Sequence, residues 1–324
     1  MKHFKYIWVV FFAIAFCVSS CAAEDDDIVV DPIRPKNPDD DKKELRVLIF
    51  GDSFSRDAFS YVPGVIEDLC PDLNVDMEIL YLGGKSLKYH WDYLSNDKDL
   101  FTLDVYTSYA GKWNSIPYTL GEEVVTAQDW DLIILQEGSN TARNSDLTQS
   151  HVNCISGYIR DRQPTAKFAF MLSPAKPDGS PALGEYSSDD VWMMYVNTSQ
   201  LLLMNEEVDY IIPCGTAIQN ARQTSVDQYG KFGHLSYDGN HLQEGLPCLI
   251  EAYVGAQFLF HLFDINASIE NSSLKISQQW VNNQKIPGQH GAVIEGTDDD
   301  YIICKRSALL ALDNPFNISN PIWY

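Results

Sequence analysis

Two short stretches of this chain carry side chains able to break an ester. In Leu45–Asp57, reading LRVLIFGDSFSRD, an apolar run ends in Gly51-Asp52-Ser53 and passes into a helical pattern. Far downstream, Asp238-Gly239-Asn240-His241 offers a carboxylate and an imidazole three residues apart. A serine hydroxyl is a weak nucleophile near neutral pH. It needs an imidazole to take its proton and a third group to orient that ring. Ser53, His241 and Asp238 are the candidates for those three roles, and the chemistry they imply is attack on a carbonyl.

Such groups must be held by elements that converge. Short apolar runs at 45–50, 75–82, 131–136, 167–172 and 209–213 read as strands. Helix-like stretches separate them, at 57–69, 86–94, 150–162 and 189–207, and another follows at 241–263 with His241 at its start. Alternating strand and helix predicts an α/β fold of three layers, αβα, around a central parallel sheet. Ligands in such sheets bind beyond the carboxyl ends of the strands, and Ser53, Gly84 and Asn140 each fall just after a candidate strand. From Asp264 onward the pattern predicts only a last helix and a trailing segment.

The first twenty residues have signal-peptide form: Lys2 and Lys5, then an apolar run from Ile7 to Val18, then small residues before Cys21. Removing 1–20 would leave 304 of the 324 residues and, with both lysines gone, take the formal charge from −22 to −24. Segment 21–43, with two acidic runs and three prolines, cannot bury a core and reads as a tether. The domain proper is then 44–324. An acidity of this size repels phosphate backbones and anionic membrane surfaces, so nucleic acid is not an expected partner. Cys70, Cys154, Cys214, Cys248 and Cys304 are odd in number and lack a C-x-x-C pair, which predicts neither a disulfide framework nor a zinc site. At most one bridge among otherwise buried thiols is expected. No nucleotide or metal motif is found, so no cofactor and no metal are expected.

Gly51-Asp52-Ser53-Phe54-Ser55, Gly84 within ILYLGGKS, Gly138-Ser139-Asn140 after DLIILQE, and Asp238-x-x-His241 stand in the order of the four blocks of the SGNH, or GDSL-type, hydrolase superfamily, which the chain resembles over about Leu45 to Phe263. The spelling GDSFSRDAF, LQEGSN, IPCGTAIQNAR and DGNHL further resembles a bacterial branch that carries only a domain-of-unknown-function label. The resemblance implies the flavodoxin-like hydrolase fold and a Ser53-His241-Asp238 triad. It also implies an oxyanion hole from the Ser53 N–H, the Gly84 N–H and the Asn140 amide. Thr141 stands where the family has Asp, and Gln136 is a rival donor, as in Gln-type sugar esterases. Val18-Ser19-Ser20-Cys21 resembles a lipobox, which implies lipidation at Cys21 and an extracytoplasmic place on the outer membrane of a Gram-negative bacterium, the lipid being the membrane contact. A secretory signal without lipidation is the plainer alternative.

Single residues have plainer readings. His90 in KYHWDYL fits a helix-surface histidine better than a cleft residue, His234 competes with His241 for the role of base, and Arg222 is equally a substrate ligand or the partner of an acid. The expected activity is an esterase removing small acyl groups, chiefly acetyl, from carbohydrate. The alternatives are a lipase or thioesterase on the same machinery and a non-catalytic glycan-binding lipoprotein.

Overall fold

The apolar runs pair side by side. The computed structural model describes residues 44–323, so the segments 1–20 and 21–43, with Cys21, lie outside the described residues. Its strands are β1 (Glu44–Gly51), β2 (Asn74–Tyr81), β3 (Phe101–Thr107), β4 (Lys112–Thr119), β5 (Leu132–Leu135), β6 (Lys167–Met171) and β7 (Tyr210–Ile212). They form one sheet in the order β4-β3-β2-β1-β5-β6-β7. The five strands from β2 to β7 are parallel, and β3 and β4 are antiparallel additions beyond β2.

Helices α1 (Ser53–Phe59), α2 (Val62–Leu69), α3 (Leu87–Leu94), α4 (Gly121–Thr126), α5 (Ser145–Arg160), α6 (Ser188–Met204), α7 (Cys214–Arg222), α8 (Leu246–Leu262), α9 (Gln278–Gln284) and α10 (Asp298–Asp313) cover both faces. Side chains on the parallel strands alternate between the two layers, as a pleat requires. Val47 and Ile49 of β1 pack with Ile218, Leu249 and Tyr253 on the side of α1, α2, α7 and α8, whereas Leu48 and Phe50 pack with Leu87, Val152 and Leu202 on the side of α3, α5 and α6. The fold is therefore the three-layer αβα expected.

Three departures matter. The β3–β4 hairpin, absent from the sequence expectation, extends the sheet, and β4 is exposed at alternate and consecutive positions, so it lacks the apolar rhythm of a buried strand. The helix expected at 57–69 breaks at Ser60–Tyr61, with Pro63 in the first turn of α2, where a missing N–H does least harm. His241 is not at a helix start: α8 begins at Leu246, after Gly245 at φ +98°. A Cβ at Gly245 would lie 2.4 Å from the carbonyl oxygen of Ile294, so the chain can turn there only as glycine.

Candidate active site

β1 lies between β2 and β5, with Gly51 opposite Tyr81 and Phe50 opposite Leu135. The carboxyl ends of these three strands are thereby level, and the chain leaves each into a loop on the same rim. Ser53, Gly84 and Asn140 come from those loops and line one cleft of about 490 Å³, which His241 closes from the other side.

At the end of β1, Asp52 is the N-cap of α1, its Oδ1 accepting from the Phe54 N–H at 3.0 Å, and Ser53 is the first helical residue. Opposite it, the His241 loop is set by its own acid. Asp238 Oδ1 accepts from the N–H groups of Asn240 and His241 at 2.9 and 2.8 Å, while Oδ2 lies 2.9 Å from His241 Nδ1. With Nδ1 as the donor, Nε2 presents its lone pair 3.0 Å from Ser53 Oγ. Asn240 Nδ2 is 3.1 Å from the same nitrogen. Burial acts to raise the Asp238 pKa, but the hydrogen bonds from His241 and Asn240 prevail and hold it below the ordinary carboxylate value.

Three donors belonging to residues that line this cleft have no acceptor of their own among the described residues: the N–H of Ser53, the N–H of Gly84 and the amide of Asn140. Gly84 has φ +63°, and a Cβ there would meet nothing within 4 Å, so it is the backbone conformation rather than crowding that favours glycine. Asn140 is exposed and lines the cleft. Gln136 is placed otherwise. It is completely buried, its Oε1 accepting from the Asp52 N–H at 2.7 Å and from Ser55 Oγ at 3.0 Å, its Nε2 donating to the Glu137 carbonyl at 2.6 Å. Its amide is thus committed beneath the Ser53 loop.

The next residue ties the rim together. Glu137, also completely buried, accepts through Oε1 from the N–H groups of Leu87 and Gly138 at 3.0 and 2.7 Å, and its Oε2 lies 2.8 Å from His151 Nδ1. One carboxylate thereby fixes the loop of Gly84 against that of Asn140. In the sequence it is only an acid after a strand, and nothing local marks it.

His290, outside the four sequence blocks, completes the wall. Its ring stacks on His241 with centroids 4.1 Å apart and planes 13° apart, and its Nε2 is 3.6 Å from Asp57 Oδ1. Burial, and secondarily the neighbouring His241, lower its pKa to about 4, so it stays neutral beside the His241 ring. Its loop is held by reciprocal bonds with the segment after His241: the Glu244 N–H to the His290 carbonyl and the His290 N–H to Glu244 Oε2, both 3.1 Å. Burial also raises Asp52 to about 7.

The remaining candidates fall elsewhere. His90 is completely buried, not on the helix surface, with ring nitrogens 3.2 Å from the carbonyls of Ser86 and Gly51, and burial lowers its pKa to about 4. It braces the strand ends from beneath. His234 pairs with Asp227 at 2.9 Å rather than approaching Ser53. Arg222 is structural, its Nη1 donating to the Ala175 carbonyl, Ser188 Oγ and Gln219 Oε1 at 2.9, 2.9 and 2.6 Å. The five described cysteines are free thiols, of which Cys214, Cys248 and Cys304 are buried. Among the described residues no three His, Cys, Asp or Glu side chains form a metal-binding group, and no helix is long and apolar enough to cross a membrane.

A family model described as "Domain of unknown function (DUF4886)" matches residues 46–281. No curated protein matches the chain. Among solved structures, a DUF4886 family protein from Bacteroides uniformis ATCC 8492 is similar at 19% identity and TM-score 0.69, over 86% of this chain and 98% of that one. At that identity it speaks for the fold alone. Weaker likenesses are to a proposed SGNH hydrolase from Slackia heliotrinireducens, 16% identical with TM-score 0.47 over 67% of this chain and 100% of that one, and to a proposed GDSL-like lipase from Parabacteroides merdae ATCC 43184, 11% identical with TM-score 0.44 over 69% and 98%.

Proposed function

The chain belongs to the DUF4886 family, and from that premise and the geometry of its cleft we propose that it is a serine esterase of SGNH type that removes small acyl groups, chiefly acetyl, from carbohydrate. The observation that carries this reading is the unbroken line from Ser53 Oγ to His241 Nε2 at 3.0 Å and from His241 Nδ1 to Asp238 Oδ2 at 2.9 Å, lying in a cleft beside three unpaired donors.

In the reaction, Ser53 Oγ attacks the ester carbonyl as its proton passes to His241 Nε2, and Asp238 stabilises the imidazolium. Negative charge gathers on the former carbonyl oxygen, where the Ser53 and Gly84 N–H groups and the Asn140 amide donate to it. Collapse expels the sugar oxygen, which takes the proton from His241. Water, deprotonated by the same nitrogen, then clears the acyl-enzyme.

Carbohydrate is favoured over a long acyl chain by the walls of the cleft. Of seventeen lining residues, only Phe54 and Tyr81 offer apolar or phenolic rings; the rest are glycines, polar or charged side chains and imidazoles. An acyl tunnel would need apolar walls. The proposal also carries lipidation at Cys21 and a place outside the cytoplasm on a Gram-negative outer membrane, which would bring the cleft to acylated glycans. A fluorophosphonate should label the wild type at Ser53 and leave Ser53→Ala unlabelled, and acetate release from acetylated glycans should fall about 10⁴-fold in Ser53→Ala. Retention of more than a tenth of the activity in a folded Ser53→Ala protein rejects the reading.

A further inference from the structure

The esterase reading leaves one cation of the cleft with neither a role nor a partner. Lys176, just beyond β6, lines the same cleft as Ser53 and Asn140, yet is only 6% exposed. Among the described residues its ammonium has neither a hydrogen-bond acceptor nor an ion pair. The stem is buried while the ammonium is not among the fully buried unpaired groups, so the cation opens onto the cleft, where an anion can reach it. Burial lowers its pKa, and the second cause is another cation, Arg143.

Arg143 is equally without a carboxylate. Its Nη2 donates to the Ala182 carbonyl at 2.8 Å and its Nη1 to the Leu183 carbonyl at 3.5 Å, while its buried Nε has no acceptor. Two acids stand within electrostatic range of Lys176, Asp52 and Asp238, and neither is paired with it: Asp52 accepts from the Phe54 N–H, and the oxygens of Asp238 are engaged by His241 and Asn240. Arg56, the other cation of the cleft, is already paired with Asp104 at 2.7 and 3.1 Å. In a chain of net charge −22, a cleft lysine without a carboxylate partner is a local feature, not part of a basic surface.

We propose that Lys176 binds a carboxylate on the substrate, so that the ester cleaved is that of an acidic sugar. The inference rests on the esterase reading for what is cleaved, but the anion subsite stands on its own geometry. A bound carboxylate would accept from the ammonium and supply the counter-charge that no described side chain pairs with it.

The test is calorimetric titration of the full-length Ser53→Ala protein, which binds but does not turn over, with an O-acetylated methyl galacturonoside and with the galactoside acetylated at the same position. The expected result is at least about tenfold tighter binding of the uronate, falling to less than about threefold in the Lys176→Met background and largely kept with Lys176→Arg. Equal affinities, failure to bind either sugar, or full selectivity in a folded Lys176→Met background overturns the inference. Fluorophosphonate labelling of the wild type is run beside it. Loss of labelling removes the esterase reading and leaves the titration interpretable, whereas labelling with unselective titration removes only the anion subsite.

Discussion

Asn140 and Gln136 compete for one role in the sequence, and the structure turns the choice into an experiment with two separable readouts. The Asn140 side chain is exposed and makes no hydrogen bond within the described residues, so Asn140→Ala should change folding stability by less than about 0.5 kcal/mol. If its amide meets the oxyanion, kcat falls about 10²- to 10³-fold, equivalent to ~2.7–4 kcal/mol, with little change in KM, because the bond strengthens only as charge develops. Gln136→Ala acts in the opposite way. It strands the Asp52 N–H and the Ser55 hydroxyl, which now donate to Gln136 Oε1 at 2.7 and 3.0 Å in a fully buried site. At about 1–3 kcal/mol for each orphaned group, and with the lost side-chain volume added, destabilisation of roughly 3–6 kcal/mol follows. The kcat per folded molecule should fall less than about tenfold. Urea unfolding and steady-state hydrolysis of 4-nitrophenyl acetate measure the two quantities on the same preparations. A near-silent Asn140→Ala beside a stable Gln136→Ala that has lost kcat would refute the assignment.

Asp52 binds a proton in the folded state up to about pH 7 that the unfolded chain has released above about pH 4, so its contribution to stability is lost as pH rises through that window. Asp52→Asn removes this loss while keeping a cap oxygen. Its Tm should exceed the wild type's by several degrees at pH 8, with the gap closing near pH 4, and a gap independent of pH would contradict the raised pKa. His290→Ala removes the ring stacked on His241 and should lower kcat about tenfold through misplacement of the base, leaving fluorophosphonate labelling of Ser53 slower but present. An unchanged kcat would make that stacking incidental. Cys21→Ala should move the protein from the membrane to the soluble fraction on cell fractionation, and continued sedimentation with membranes would contradict lipidation.

The five parallel strands were legible because each is a short apolar run, a pattern that burial on both faces imposes locally. Ser53, Gly84 and Asn140 were legible because each follows such a run, and Asp238 with His241 because their contact is made three residues apart along one loop. The edge strand β4, mostly exposed and containing Pro117, carries no such pattern and is held by pairing to β3. His90 looked like a surface histidine because charged Lys88 and Asp92 stand close by in the same helix. Only the packing of α3 beneath the ends of β1 and β2 buries it.

The α/β layering and the candidates Ser53, Asp238 and His241 are readable along the chain, since propensity, apolar period and short-range spacing are written in neighbouring residues. Only the tertiary structure decided which side chains meet. It brought His290 onto His241 across 49 positions, committed Gln136 beneath the Ser53 loop, clamped two loops with Glu137, and left Lys176 without a carboxylate partner in the cleft. Those contacts depend on strand order and loop closure, in which residues far apart in the chain share one small volume, and no local pattern encodes them.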